Sequence, residues 1–160
     1  VYSKKLNWSA THPGNGGVNG VAACDFDGDN DIDYVIAQMY YGDSPSSSSM
    51  SLLEQTAPGV YATALKELHW TPTGSGSEGL TVCNIDGDTN LDFLKTNEAE
   101  GNWSQVYWYE KSGDQLVLQG MLIDCAVDAT AWGLKVGHLF GIYANEPAMT
   151  ITPVSDWELQ

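Results

Sequence analysis

Two short runs of this chain carry an oxygen-bearing side chain at nearly every second position. They are Asp25-Phe26-Asp27-Gly28-Asp29-Asn30-Asp31-Ile32-Asp33 and Asn84-Ile85-Asp86-Gly87-Asp88-Thr89-Asn90-Leu91-Asp92. Carboxylates crowded into so short a turn repel one another, and a bound divalent cation reverses the sign of that interaction. Calcium suits the pattern, because it takes roughly six to eight oxygens and tolerates irregular geometry. Counting positions assigns the ligands. In the first run Asp25, Asp27, Asp29 and Asp33 supply carboxylates and Asp31 its backbone carbonyl. In the second, Asn84, Asp86, Asp88 and Asp92 supply side chains and Asn90 its carbonyl. The expectation is two Ca²⁺ sites.

An EF-hand loop also opens with oxygen ligands at its first, third and fifth positions, but it requires Gly at the sixth and a bidentate Glu at the twelfth. Here the sixth position holds Asn30 or Thr89 and the twelfth Ile36 or Lys95, while the Gly falls at the fourth. Solvated Asp/Gly turns without metal are the plain alternative, since these residues favour turns anyway. Two matched copies weigh against it.

The elements that must hold these loops follow from a longer repeat. Gly20, Cys24 and Asp33 recur as Gly79, Cys83 and Asp92, an offset of 59 positions. Leu6-Asn7-Trp8 and Leu68-His69-Trp70 lie in comparable places upstream, each followed by a Gly-rich loop. A fixed period of this size signals stacked supersecondary units. Short β-branched and aromatic runs predict strands at 21–24, 34–41, 50–55 and 60–70 in the first unit, and at 80–83, 93–96, 105–110 and 115–123 in the second. No helix is expected. A third unit starts near Gly133 with Phe140 where Asp86 would align, so this copy should bind no calcium. It continues through 148–152 to a last strand near Trp157. The reading is one all-β domain over 1–160, with repeats of about 1–62, 63–120 and 121–160.

This combination of Asp-rich turn, flanking strands and period resembles the FG-GAP/VCBS repeat of calcium-binding β-propellers, the type found in integrin α heads, fungal lectins and bacterial surface proteins. The resemblance implies about three four-stranded antiparallel propeller-type blades, the first two with a structural calcium. It also implies adhesion or sugar binding, with glycans or a cell-surface protein as partner. Propellers close with roughly four to eight blades, so three depart from the pattern. One explanation is that residues 1–8 complete the third sheet of a neighbouring molecule, giving a homo-oligomeric ring or filament by strand exchange. The other is that the chain is an excerpt of a longer protein, as its start at Val1 without initiator Met or signal peptide also suggests.

Charge limits the partners. Six Lys plus Arg against 21 Asp plus Glu give a net charge of −15, which disfavours nucleic acid and anionic membrane. Two Ca²⁺ would offset part of it. No apolar stretch is long enough for a membrane span. An extracellular, secreted or cell-surface location is expected. Asn7 and Asn102 open N-glycosylation sequons, and Ser44 to Ser49 reads as a flexible loop and O-glycan acceptor. Cys24 and Cys83 read as buried core residues, while Cys125 leaves an odd thiol. Among the aromatics, Trp8, Trp70 and Trp108 suit a core; Tyr40, Tyr41, Trp103 and Trp132 suit an exposed contact surface. His12, His69 and His138 share no spacing with a nucleophile and no Gly-x-Ser-x-Gly elbow occurs, so catalysis is not expected. A secreted polysaccharide-active enzyme is the weakest of the three readings.

Overall fold

The computed structural model describes residues 15–41, 47–71, 79–99, 103–125, 135–137 and 148–150. Every element among them is a β-strand, and every pairing is antiparallel. The first unit contains β1 (Asn15–Cys24), β2 (Asp33–Tyr41), β3 (Ser47–Leu53), β4 (Gln55–Ala57), β5 (Val60–Tyr61) and β6 (Lys66–Thr71). The second contains β7 (Gly79–Cys83), β8 (Asp92–Ala99), β9 (Trp103–Ser112) and β10 (Gln115–Cys125), followed by β11 (Lys135–Gly137) and β12 (Ala148–Thr150). Two four-stranded meanders result, β1-β2-β3-β6 and β7-β8-β9-β10, together with a β11-β12 pair and a small β4-β5 hairpin.

Each Asp-rich run is the connection of a hairpin, between β1 and β2 and between β7 and β8, as the repeat predicts. The expected strands are present with equal or wider limits, save that the one expected over 50–55 runs Ser47–Leu53, and two differences stand out. The stretch read as one strand over 60–70 is broken into β5, a bend and β6. Ser47, Ser48 and Ser49, expected in a flexible loop, belong to β3 and are at most 2% exposed, which removes them as glycan acceptors. Pairing of Ser48 with Met39 and of Ser49 with Gln38 draws the serines into the sheet against composition. The first sheet closes at Thr71 and the second at Cys125, later than the expected repeat limits of 62 and 120. Of the stretch expected to hold a third unit, the described residues beyond β10 are β11 and β12, which pair antiparallel, with β11 beside β7.

The two meanders stack front to back. Ala22, Cys24, Phe26, Val35, Ala37, Met50, Leu52 and Leu68 of the first sheet and its loop share one core with Leu80, Phe93, Tyr109 and Leu116 of the second. The repeat-equivalents of Cys24, Phe26 and Val35 are Cys83, Ile85 and Leu94, and these form a separate cluster with Val106, Trp108 and Ile123. Strand alternation puts Leu94 on the face opposite Phe93, so that cluster lies on the far side of the second sheet. A sandwich related by a two-fold axis would put both members of each pair into the same core. Successive units therefore present equivalent faces in the same direction.

Close approach of the first strands sets the spacing. At a bulge in β1, a Cβ on Gly20 would lie 2.6 Å from Leu80 N and 2.9 Å from Leu80 Cβ. Only glycine permits that contact.

Candidate metal centre

The two Asp-rich loops share one hydrogen-bonded scaffold. The first-position side chain accepts the fourth-position N–H: Gly28 N donates to Asp25 Oδ1 at 2.8 Å and Gly87 N to Asn84 Oδ1 at 2.7 Å. Asp29 N donates to Asp27 Oδ1 at 3.2 Å, and Asp88 N to Asp86 Oδ1 at 3.0 Å. Asp31 N donates to Asp29 Oδ1 at 2.8 Å, and Asn90 N to Asp88 Oδ1 at 2.7 Å. These nested turns are what Asp and Asn at alternate positions encode locally. Gly28 at φ 87° and Gly87 at φ 81° supply the left-handed residue each needs. Asn30 also sits at φ 71°, a conformation Asn tolerates better than most side chains.

Turn geometry gathers the carboxylates of the first loop at the hairpin tip. Ligand atoms of Asp25, Asp27 and Asp29 all lie within 4.8 Å of one another. Asp27 and Asp29 are exposed and Asp25 half-buried. A hard cation at that focus would meet three carboxylates without backbone rearrangement, a fit for calcium or another oxygen-preferring ion.

The ninth-position acids are placed differently. Asp33 and Asp92 are fully buried at the start of β2 and β8. Asp33 Oδ2 accepts Phe26 N at 2.9 Å, and Oδ1 accepts Gln55 N at 2.8 Å. Asp92 Oδ2 accepts Ile85 N at 2.6 Å, and Oδ1 accepts Trp108 Nε1 at 2.7 Å. Each closes its loop by bonding the second-position N–H and ties the closed loop to a neighbouring strand. A carboxylate oxygen keeps a second lone pair for a metal. Asp31 is half-buried beside the tip.

In the second loop Asn84 replaces the first-position acid and donates to Asp88 O at 2.6 Å. Asn90 Nδ2 donates to Asp88 Oδ2 at 2.7 Å and to Glu110 Oε1 at 2.9 Å. Both Asp88 oxygens thus already carry a donor. Three carboxylates stand here against five in the first loop, so the first has the stronger pull on a cation.

The first loop is wired into the stack. Phe26 is 2% exposed, its ring centroid 6.3 Å from that of Phe93 in the second sheet, and Lys111 Nζ lies 5.3 Å from the Phe26 ring centre. At the outer edge His69 Nδ1 meets Leu116 O at 3.2 Å and stacks edge-on to Tyr109.

Cys24 and Cys83 are free thiols before each loop, Cys24 buried and Cys83 half-buried. Burial first, then Asp33 and Asp25, pushes Cys24 up to about 12; burial and Asp92 push Cys83 up to about 11. Both thiols stay protonated at neutral pH. Of the expected contact aromatics, Tyr40 is 1% exposed, packed on Trp70 with its hydroxyl bonded to Gln38 Oε1. It is a core residue, because both faces of β2 are covered. Trp70 and Trp108, expected in a core, are only half-buried: Trp108 packs against the far-side cluster and Trp70 against Tyr40. Trp8, Trp132, the side chains of Tyr41 and Trp103, the 1–8 strand and both sequons, Asn7 and Asn102, lie outside the described residues.

Sequence reasoning missed three groups around the loops. The indole of Trp108 and the carboxylate of Glu110 reach them from β9, a connection only tertiary pairing reveals. The third is a Tyr34–Tyr61 pair beside the first loop, with centroids 5.6 Å apart.

Searches of family models, curated proteins and solved structures found no match to this chain.

Proposed function

We propose that this chain is a non-catalytic extracellular module of the FG-GAP/VCBS propeller type. Calcium fixes its two Asp-rich loops, and the exposed rim makes adhesive or carbohydrate contacts. The observation that carries the reading is the convergence of Asp25, Asp27 and Asp29 on one point, within a scaffold repeated almost bond for bond at Asn84 to Asp92. Front-to-back stacking supports a blade arrangement, since it is the packing that a propeller continues around its axis.

Calorimetric titration with calcium tests the metal reading. Two ions should bind, the first loop more tightly; Asp27→Asn should abolish the tighter site and Asp88→Asn the weaker. Absence of binding at millimolar calcium rejects it.

A self-assembling structural subunit is the second reading. Front-to-back contacts are heterologous and do not limit themselves, so further copies can extend them into a ring or filament. Val117, Leu118, Met121 and Leu122, each more than 40% exposed along β10, give the outer edge an apolar surface. Light scattering distinguishes the two, a monomer favouring the first reading and a defined or growing assembly the second.

A further inference from the structure

The space between the two sheets changes character along the strands. Towards the Asp-rich loops it is filled by Phe26, Val35, Leu52 and Phe93. Away from them β8 carries Lys95 and Asn97, and strand alternation turns both to the same side as Phe93. The pairing of β8 with β9 is regular here and sets Tyr107 beside Lys95 and Gln105 beside Asn97. Tyr107 Oη donates to Gln105 Oε1 at 2.7 Å. Ser48 reaches the Lys95 amine from the first sheet. Apolar packing thus gives way to a polar seam.

Two groups in this seam lack what the other could give. Lys95 and Asn97 are buried, at 0% and 6% exposure. A lysine ammonium carries more N–H donors than a single acceptor satisfies, and among the described residues Ser48 Oγ alone accepts from this one, at 2.7 Å. Asn97 Oδ1 is sealed from solvent and has no hydrogen-bond partner among the described residues. Buried polar atoms of native proteins are paired with protein or with ordered water. The two residues start about 6.7 Å apart along the strand, and the bond to Ser48 carries the amine across to the first sheet. A bridging molecule, not direct contact, is what joins them.

We propose that an internal water molecule is bound in this seam, accepting from Lys95 Nζ and donating to Asn97 Oδ1. Water is the occupant because the site asks one small molecule both to accept and to donate. An anion would accept from the amine and be repelled by the amide oxygen, and a metal ion would meet the positive end of the amine. Internal waters make roughly two to four hydrogen bonds, and Ser48 and Tyr107 bring hydroxyls to the same seam. The site stands independently of the calcium and adhesion readings. It makes the contact between the sheets hydrated at the end remote from the Asp-rich loops.

Oxygen-17 magnetic relaxation dispersion of water, which counts molecules held inside a protein for longer than its tumbling time, tests the site on the whole chain. The parent should hold internal water, and Asn97→Leu at least one molecule fewer. Lys95→Met should show the same loss, and the double variant no loss beyond that of either single one. Equal counts in the parent and in Asn97→Leu overturn the proposal. Because a core substitution can disturb folding, a second measurement needs no variant. A high-resolution crystal structure of the parent should show an ordered water within hydrogen-bond distance of both Lys95 Nζ and Asn97 Oδ1. A direct bond between the two groups, or a dry seam, overturns the site. So does a thermal midpoint that rises with chloride at constant ionic strength in the parent but not in Lys95→Met, since that result puts an anion there.

Discussion

Asp92 is the residue where electrostatics and architecture meet most tightly. It is fully buried, and its two oxygens satisfy Ile85 N and the Trp108 indole. Asp92→Ala would leave two inward-facing donors without partners, so urea unfolding should show a loss of about 2–4 kcal/mol. Trp108→Phe leaves the buried Asp92 Oδ1 without its donor and should cost about 1–3 kcal/mol beyond lost packing. Lys95 raises the opposite problem. It is fully buried between the sheets, its amine donates to Ser48 Oγ at 2.7 Å, and burial brings that amine down to about 7. Unfolded, the amine titrates near 10.5, so between about 7 and 10.5 the unfolded chain binds a proton that the folded one refuses. Stability should therefore rise by about 1.4 kcal/mol per pH unit across that window, and this contribution should be flat below it. His69, also held below its ordinary value by burial and by Lys95, acts in the same direction at lower pH. Lys95→Met should flatten the upper window, measured by urea unfolding at a series of pH values; an unchanged slope would contradict the assignment. The alternating acids were legible in sequence because their role in the turn is local. The burial of Asp33, Asp92 and Lys95 was not, because it depends on strands far away in the chain.

At the scale of elements, the two loop hairpins could be read from strand-forming runs on either side of each Asp-rich turn. The β4-β5 hairpin was harder to see. Pro58-Gly59 marks its turn, but the Ala62-Thr63-Ala64-Leu65 stretch carries no break signal, so 60–70 read as continuous strand. The buried serines of β3 show the converse, tertiary pairing overriding a loop-like composition. The repeated Gly20 and Gly79 were visible as a match without a reason. The reason is the contact between β1 and β7. Gly20→Ala would force a methyl to within 2.6 Å of Leu80 N, and both contacting strands would have to shift. A destabilisation of about 1–3 kcal/mol is expected by thermal or urea unfolding. Gly113→Ala, at φ 58° with open space around it, should cost only about 1 kcal/mol, through the backbone alone. Equal effects at the two glycines would refute the close-approach argument. At the outer edge, Lys66 and Asp114 form an exposed ion pair at 2.8 Å, and breaking it should hardly be felt.

On the scale of the molecule, the account joins loop to stack. Phe26 sits in the core shared by both sheets, Asp33 fastens the loop that carries it, and Asp25, Asp27 and Asp29 accept hydrogen bonds from that loop's backbone. An ion at the focus should therefore stabilise more than the hairpin tip. The period of 59 residues announced a repeat, but not the direction in which the units face; that emerged only from Cys24 and Val35 lying in one core while Cys83 and Leu94 lie in another. The most direct test is the thermal unfolding midpoint in excess calcium against excess chelator, for the parent protein and for Asp27→Asn. An ion held at a hundred times its dissociation constant contributes about 2.7 kcal/mol per site, so calcium should raise the parent's midpoint by several degrees. Asp27→Asn should lose the larger part of that rise. Identical midpoints with calcium and with chelator would contradict the account.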